Sequence, residues 1–169
     1  MPYDARAVGN FLIDAAIARN VLVTHLGLQK IIYFAHAWHL AKYDRPLVGQ
    51  RFEAWQYGPV VRVIFDQLKR LKDKPIDTKL LRVDRDSGNF VEFEYDFSDL
   101  ERKFLENIFD YYGNIDPRKL VDLTHDVGGP WEKVWKSSGE RSVVGMYIPD
   151  QSIKLWILRE GRHVGKLHH

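Results

Sequence analysis

The side chains able to do chemistry fall into three groups. His36 and His39 lie about one helical turn apart, close enough to face one ligand, and His125 could join them from elsewhere to complete a three-histidine metal site of the kind metal-dependent hydrolases use. Glu53 stands beside Trp55 and Tyr57. A carboxylate among rings can stay protonated and act as a general acid, with Asp66 or Asp126 as the second acid. Finally, the run Lys69-Arg70-Leu71-Lys72-Asp73-Lys74, with Arg62 nearby, could touch phosphates, as a nucleic-acid-binding regulator would require.

Each group also has a plainer reading. The histidines belong to no HExxH pattern, and a helical histidine commonly satisfies only local hydrogen bonds. Glu53 reads better as the anchor of the Gly58-Pro59 turn, accepting backbone hydrogen bonds while Trp55 and Tyr57 pack over the second helix. A short basic cluster is usually the solvated end of a helix. No Ser or Thr sits in a nucleophile elbow, and Gly128-Gly129 lacks the lysine and preceding strand of a phosphate-cradling loop. Neither an enzyme nor a cofactor is therefore expected.

Composition narrows the choice further. The chain of 169 residues is long enough to bury an apolar core without staples, and its five Trp, eight Tyr and nine Phe exceed what a core demands. Surplus rings beside turns, at Trp55, Tyr57, Trp131 and Trp135, suit the anchors of a protein interface. The absence of cysteine excludes disulfides, thiol catalysis and thiolate metal sites, and fits a cytoplasmic location. A net charge of +2 gives little pull toward nucleic acid, and no run suggests a signal peptide or a membrane span. The closing Lys166-Leu167-His168-His169 looks like a tag remnant.

The elements that must position these residues are mostly helical. Asp4 caps a helix to about residue 20, with Val8, Phe11, Leu12, Ala15 and Ala16 along one stripe. Thr24 caps a longer central helix to about residue 43, on which Leu28, Ile31, Ile32, Ala35, Trp38 and Leu40 keep helical spacing. Residues 47–57 read as extended, Gly58 permits a sharp turn, and Pro59 takes the first position of a third helix through Leu71. Asp86-Ser87-Gly88-Asn89 turns a β-hairpin between 80–84 and 90–95. Ser98 with Glu101 forms a capping box for a helix to Gly113, and Asp116-Pro117 starts another to His125. Gly128-Gly129-Pro130 then breaks the chain, Trp131 opens another turn, and a last helix spans about 150–159. The fold class is mainly α (α+β): one compact helical domain over 1–165 with a small antiparallel sheet or hairpin.

Three stretches taken in order carry a resemblance: Leu28-Gln29-Lys30-Ile31-Ile32-Tyr33-Phe34-Ala35-His36-Ala37-Trp38, then Phe52-Glu53-Ala54-Trp55-Gln56-Tyr57-Gly58-Pro59-Val60, then Leu123-Thr124-His125 with Pro130-Trp131. Together they resemble the Panacea antitoxin domain family, SocA-like and phage-associated, over roughly residues 7–158. The resemblance implies a helical domain from a toxin–antitoxin pair that binds its toxin directly, in one described mechanism handing it to a protease such as ClpXP. It implies a cognate toxin, encoded next door, as the partner. The rings beside turns suggest that the toxin is met by a surface around Glu53, Trp55, Tyr57, Gly58, Pro59, Pro130 and Trp131. Some relatives carry a DNA-binding segment before the domain. Here the first helix begins almost at Met1, so self-regulation through DNA is not expected.

Overall fold

The computed structural model describes residues 1–164, so the suspected tag remnant at 166–169 lies outside the described residues. Its first two helices are α1, Ala5–Ala18, and α2, His25–Tyr43. Two short strands follow, β1 at Glu53–Trp55 and β2 at Gly58–Val60, then helix α3 at Arg62–Leu68, which tightens into a 3-10 turn at Lys69–Leu71. A second hairpin pairs β3, Leu81–Val83, with β4, Phe90–Glu92. The chain closes with α4, Asp99–Tyr112, α5, Pro117–Thr124, α6, Pro130–Ser137, and α7, Asp150–Val164.

Local signals set most boundaries. The Asp4 carboxylate accepts from Arg6 N–H at 2.8 Å, Thr24 Oγ1 from Gly27 N–H at 3.2 Å, and Ser98 Oγ from Glu101 N–H at 3.3 Å. Each side chain satisfies a backbone donor that the first helical turn leaves open. The capping box at Ser98 is only half realised: Glu101 turns its carboxylate to His39 Nε2 at 3.3 Å and Arg45 at 3.5 Å. Pro130 opens α6 behind Gly129, and α7 runs on past residue 159 because Gly161 lets it lie flat on Trp38, where a Cβ would come within 2.9 Å of the ring.

One boundary differs from the sequence reading. Pro59 lies in β2, opposite Ala54, and the helix begins three residues later at Arg62. A proline has no N–H to give a ladder, so it fits a strand only where none is required. Here only its carbonyl is used, accepting from Lys30 Nζ at 2.9 Å.

Helix α2 is the axis of the core, packed by α1, α3, α4, α5, α7 and β2. It is therefore covered on all sides, and its polar positions Gln29, Lys30, His36 and His39 are buried together with the apolar ones. Rings fill the space around it. Phe34 stacks on Tyr112 at 4.6 Å, Tyr33 meets Phe52 edge-on at 5.2 Å, and Trp38 Nε1 donates to the Tyr112 hydroxyl at 2.7 Å. No helix among the described residues is long and apolar enough to cross a membrane.

One buried side chain of α1 bonds both sides of the base of the β3–β4 hairpin. Asn10 Nδ2 donates to the carbonyls of Leu80 and Phe93, both at 2.9 Å, and its Oδ1 accepts from Leu80 N–H at 2.8 Å. Asn10→Ala strands these backbone groups, and leaving buried groups unpaired costs about 1–3 kcal/mol each. The expected result is a urea midpoint lowered by an amount equivalent to at least ~2 kcal/mol, with an unchanged far-UV spectrum.

Candidate functional site: the clamped aromatic turn

Gln56 and Tyr57 join β1 to β2, and both are exposed. Gly58 follows with φ +98°, a conformation L side chains rarely adopt, and a Cβ there would lie 2.6 Å from Thr124 Oγ1 and 2.8 Å from Lys30 Cε. Only glycine fits, for both reasons. Beyond it, α2 takes the place of a third strand: Lys30 Nζ bonds the Pro59 carbonyl, Gln29 Oε1 accepts from Val61 N–H at 2.9 Å, and Gln29 Nε2 donates to the Val61 carbonyl at 3.0 Å.

Gln29 and Lys30 were passed over in the sequence, where they read as polar positions within an apolar motif. The signal was there: two adjacent amide and amine side chains in a helix apolar on both sides of them. Lys30 is fully buried, and burial pushes its amine down to about 7. Burial first, and the nearby Lys30 second, hold the imidazoles of His25 and His125 below the ordinary range.

Glu53 is buried beside the turn, but its partners are side chains, which corrects the expectation of backbone donors. Its carboxylate accepts from Trp55 Nε1 at 2.7 Å and from Arg62 at 2.9 and 3.3 Å. The Arg62 guanidinium lies 5.3 Å over the Trp55 ring, and Trp55 meets Phe65 edge-on at 4.6 Å. The two acids considered as its catalytic partners bond elsewhere: Asp66 with Lys69 at 3.4 Å, Asp126 with Trp156 Nε1 at 2.9 Å.

Pro130 and Trp131 lie behind the turn. Trp131 is only 6% exposed; its Nε1 donates to the Trp55 carbonyl at 2.8 Å, and its ring lies flat on His125 at 3.7 Å and near Trp135 at 5.6 Å. Tyr57, expected to pack over α2, is instead 60% exposed. Beside it opens a cavity of about 270 Å³ lined by His25, Leu26, Trp55, Tyr57, Val60 and Phe65 among others.

The three histidines do not meet. His36 Nδ1 accepts from Val48 N–H at 3.3 Å, so its Nε2–H donates to Asp150 at 2.9 Å, joining α2 to the start of α7. His39 Nδ1 donates to the Arg45 carbonyl at 2.8 Å and its Nε2 faces Glu101. His125 is stacked on Trp131, and no group of three metal-ligating side chains is assembled among the described residues. The basic run is likewise partly spent on neighbours, Lys69 on Asp66 and Arg70 on Asp77 at 3.7 Å.

Lys30 sets a pH dependence. An unfolded lysine keeps its proton to about 10.5, whereas the folded one gives it up near 7. Folding therefore releases a proton between those values, and stability rises with pH across that window and is lowest below it. The expected slope is at most about 1.4 kcal/mol per pH unit between pH 7.5 and 9. Urea unfolding across that range should show it in the native chain, and Lys30→Met should flatten it.

The family described as "Antitoxin SocA-like, Panacea domain" matches residues 28–132, which run from the start of the α2 motif to Glu132 at the start of α6. The protein described as "Antitoxin SocA" from Caulobacter vibrioides (strain NA1000 / CB15N) is 34% identical over 151 residues, covering 89% of this chain and 80% of that protein. No solved structure matches. The residues that clamp the turn thus lie in the matched region, and the chain belongs to the SocA-like antitoxin family with a Panacea domain.

Proposed function

We propose that this chain is a cytoplasmic antitoxin, acting as one domain over 1–165, that neutralises a cognate toxin by binding it directly and catalyses no reaction. The toxin is the product of an adjacent gene. The observation that carries the reading is how Tyr57 is presented: 60% exposed, at the tip of a turn fastened by Trp131 on one strand and by Gln29 and Lys30 on the other. A backbone already fixed beneath a side chain loses little freedom on binding, and Tyr and Trp are frequent anchors of interfaces. Membership in an antitoxin family supports a toxin as the partner.

In this reading the site residues divide by depth. Tyr57 and the half-buried Trp55 touch the toxin. Glu53, Gly58, Pro59, Pro130 and Trp131, all buried, support the turn that carries them.

The test is co-expression with the adjacent gene's product, scoring growth rescue and co-purification. Tyr57→Ala is expected to leave the unfolding midpoint unchanged and to weaken the complex at least ~10-fold, the size typical of truncating an anchor. Full rescue by that variant removes the surface assignment. Rescue by the native chain with the toxin lost from the cell, and no complex recovered, shifts the mechanism from masking to delivery to a protease such as ClpXP.

A further inference from the structure

The groove beside Tyr57 and the basic run after α3, separate in the sequence reading, form one surface. Its floor is apolar: Leu26, Val60 and Phe65, with Trp55 as a wall. Two cations stand over rings that line it, Arg62 at 5.3 Å from the Trp55 ring and Lys69 Nζ at 5.9 Å from the Phe65 ring. Both remain in contact with water, their side chains 42% and 57% exposed. Lys72 follows at the end of the 3-10 turn, exposed, with a backbone hydrogen bond to His25 in the groove wall.

The acids on the same rim are fewer at the surface. Asp66 is half exposed and paired with Lys69, while Glu53 lies beneath Trp55 and Arg62 with its side chain 3% exposed. An incoming ligand therefore meets Arg62, Lys69 and Lys72 against Asp66 and the exposed Asp73 that follows Lys72, a surplus of one positive charge at the surface. A low-dielectric floor under a cationic rim strengthens that field.

We infer that this groove receives a segment of the partner protein in which one or two apolar side chains are flanked by Asp or Glu. The inference rests on the binding reading above and specifies the chemistry of what is bound. About 270 Å³ falls short of the usual cofactor or drug-sized pocket, which suits it to inserted side chains. The cations then pair with acids at the rim, where complementary charge sets orientation and association rate. Nucleic acid fits less well. Leu26 and Val60 give bases nothing to stack on, the Trp55 ring already lies under Arg62 and leaves Tyr57 as a single exposed ring, and Arg70 turns away to Asp77.

Fluorescence anisotropy on the full chain tests this with three labelled probes: a short peptide alternating Asp/Glu with Leu/Phe, its Asn/Gln counterpart, and an oligo-dT strand. The acidic peptide should bind at least ~10-fold more tightly than the neutral one, and Lys69→Glu/Lys72→Glu should abolish that preference. Both lysines are exposed, so the variant keeps its fold. Leu26→Glu should weaken both peptides through the floor. Equal binding of the two peptides, a preference untouched by the charge reversal, or tighter binding of oligo-dT overturns the inference. A toxin complex that survives the reversal sinks the inference and leaves the binding reading standing. An acidic-peptide preference in a chain that rescues no toxin does the opposite.

Discussion

The backbone from Gly58 to Val61 enters the core with polar groups that no strand covers on the side facing α2. Buried carbonyls and amides left open cost more than a typical hydrogen bond returns, so something must meet them. Gln29 and Lys30 do, the first as a two-way amide pairing with Val61 and the second as a donor to Pro59. Much else follows from that contact. To place these side chains inside, α2 must be covered on every face, and the surrounding helices provide the cover. A buried amine without a carboxylate is expensive, and its displaced titration is the sign of that cost.

From this clamp the ties run outward through single atoms. Trp131 fastens β1 from α6 through the Trp55 carbonyl, Glu53 gathers Trp55 and Arg62, and Thr124 of α5 closes on Gly58. The turn is where α2, α3, α5 and α6 converge. Such a mount fixes the backbone that carries the aromatic tip. In the binding reading proposed above, a fixed backbone beneath the presented group reduces the ordering that association must otherwise overcome.

The residues that looked catalytic are spent on this architecture. His36 joins α2 to α7, His39 joins α2 to α4 and the loop at Arg45, and His125 lies against Trp131. Each imidazole satisfies a neighbour or a ring, and the three serve different junctions. The same holds for Glu53, whose oxygens are taken by two side chains. The basic run alone keeps its reach toward solvent, beside an apolar groove.

The sequence by itself determined the features that depend on neighbours a few residues away. The caps at Asp4, Thr24, Ser98 and Asp116, the Asp86-Ser87-Gly88-Asn89 hairpin and the glycine at 58 were legible because each is a local steric or hydrogen-bonding demand. The ordered motifs were enough to place the family. What only the tertiary structure decided were matters of contact across the chain. Pro59 is a good helix starter locally, yet it lies in a strand because Lys30, 29 positions earlier, takes its carbonyl. Trp131 and Tyr57 are both aromatic and both beside turns, yet one is buried and the other exposed. Ring type and spacing cannot separate them, since burial is set by which distant surface arrives, here the Trp55 carbonyl 76 positions from the Trp131 indole.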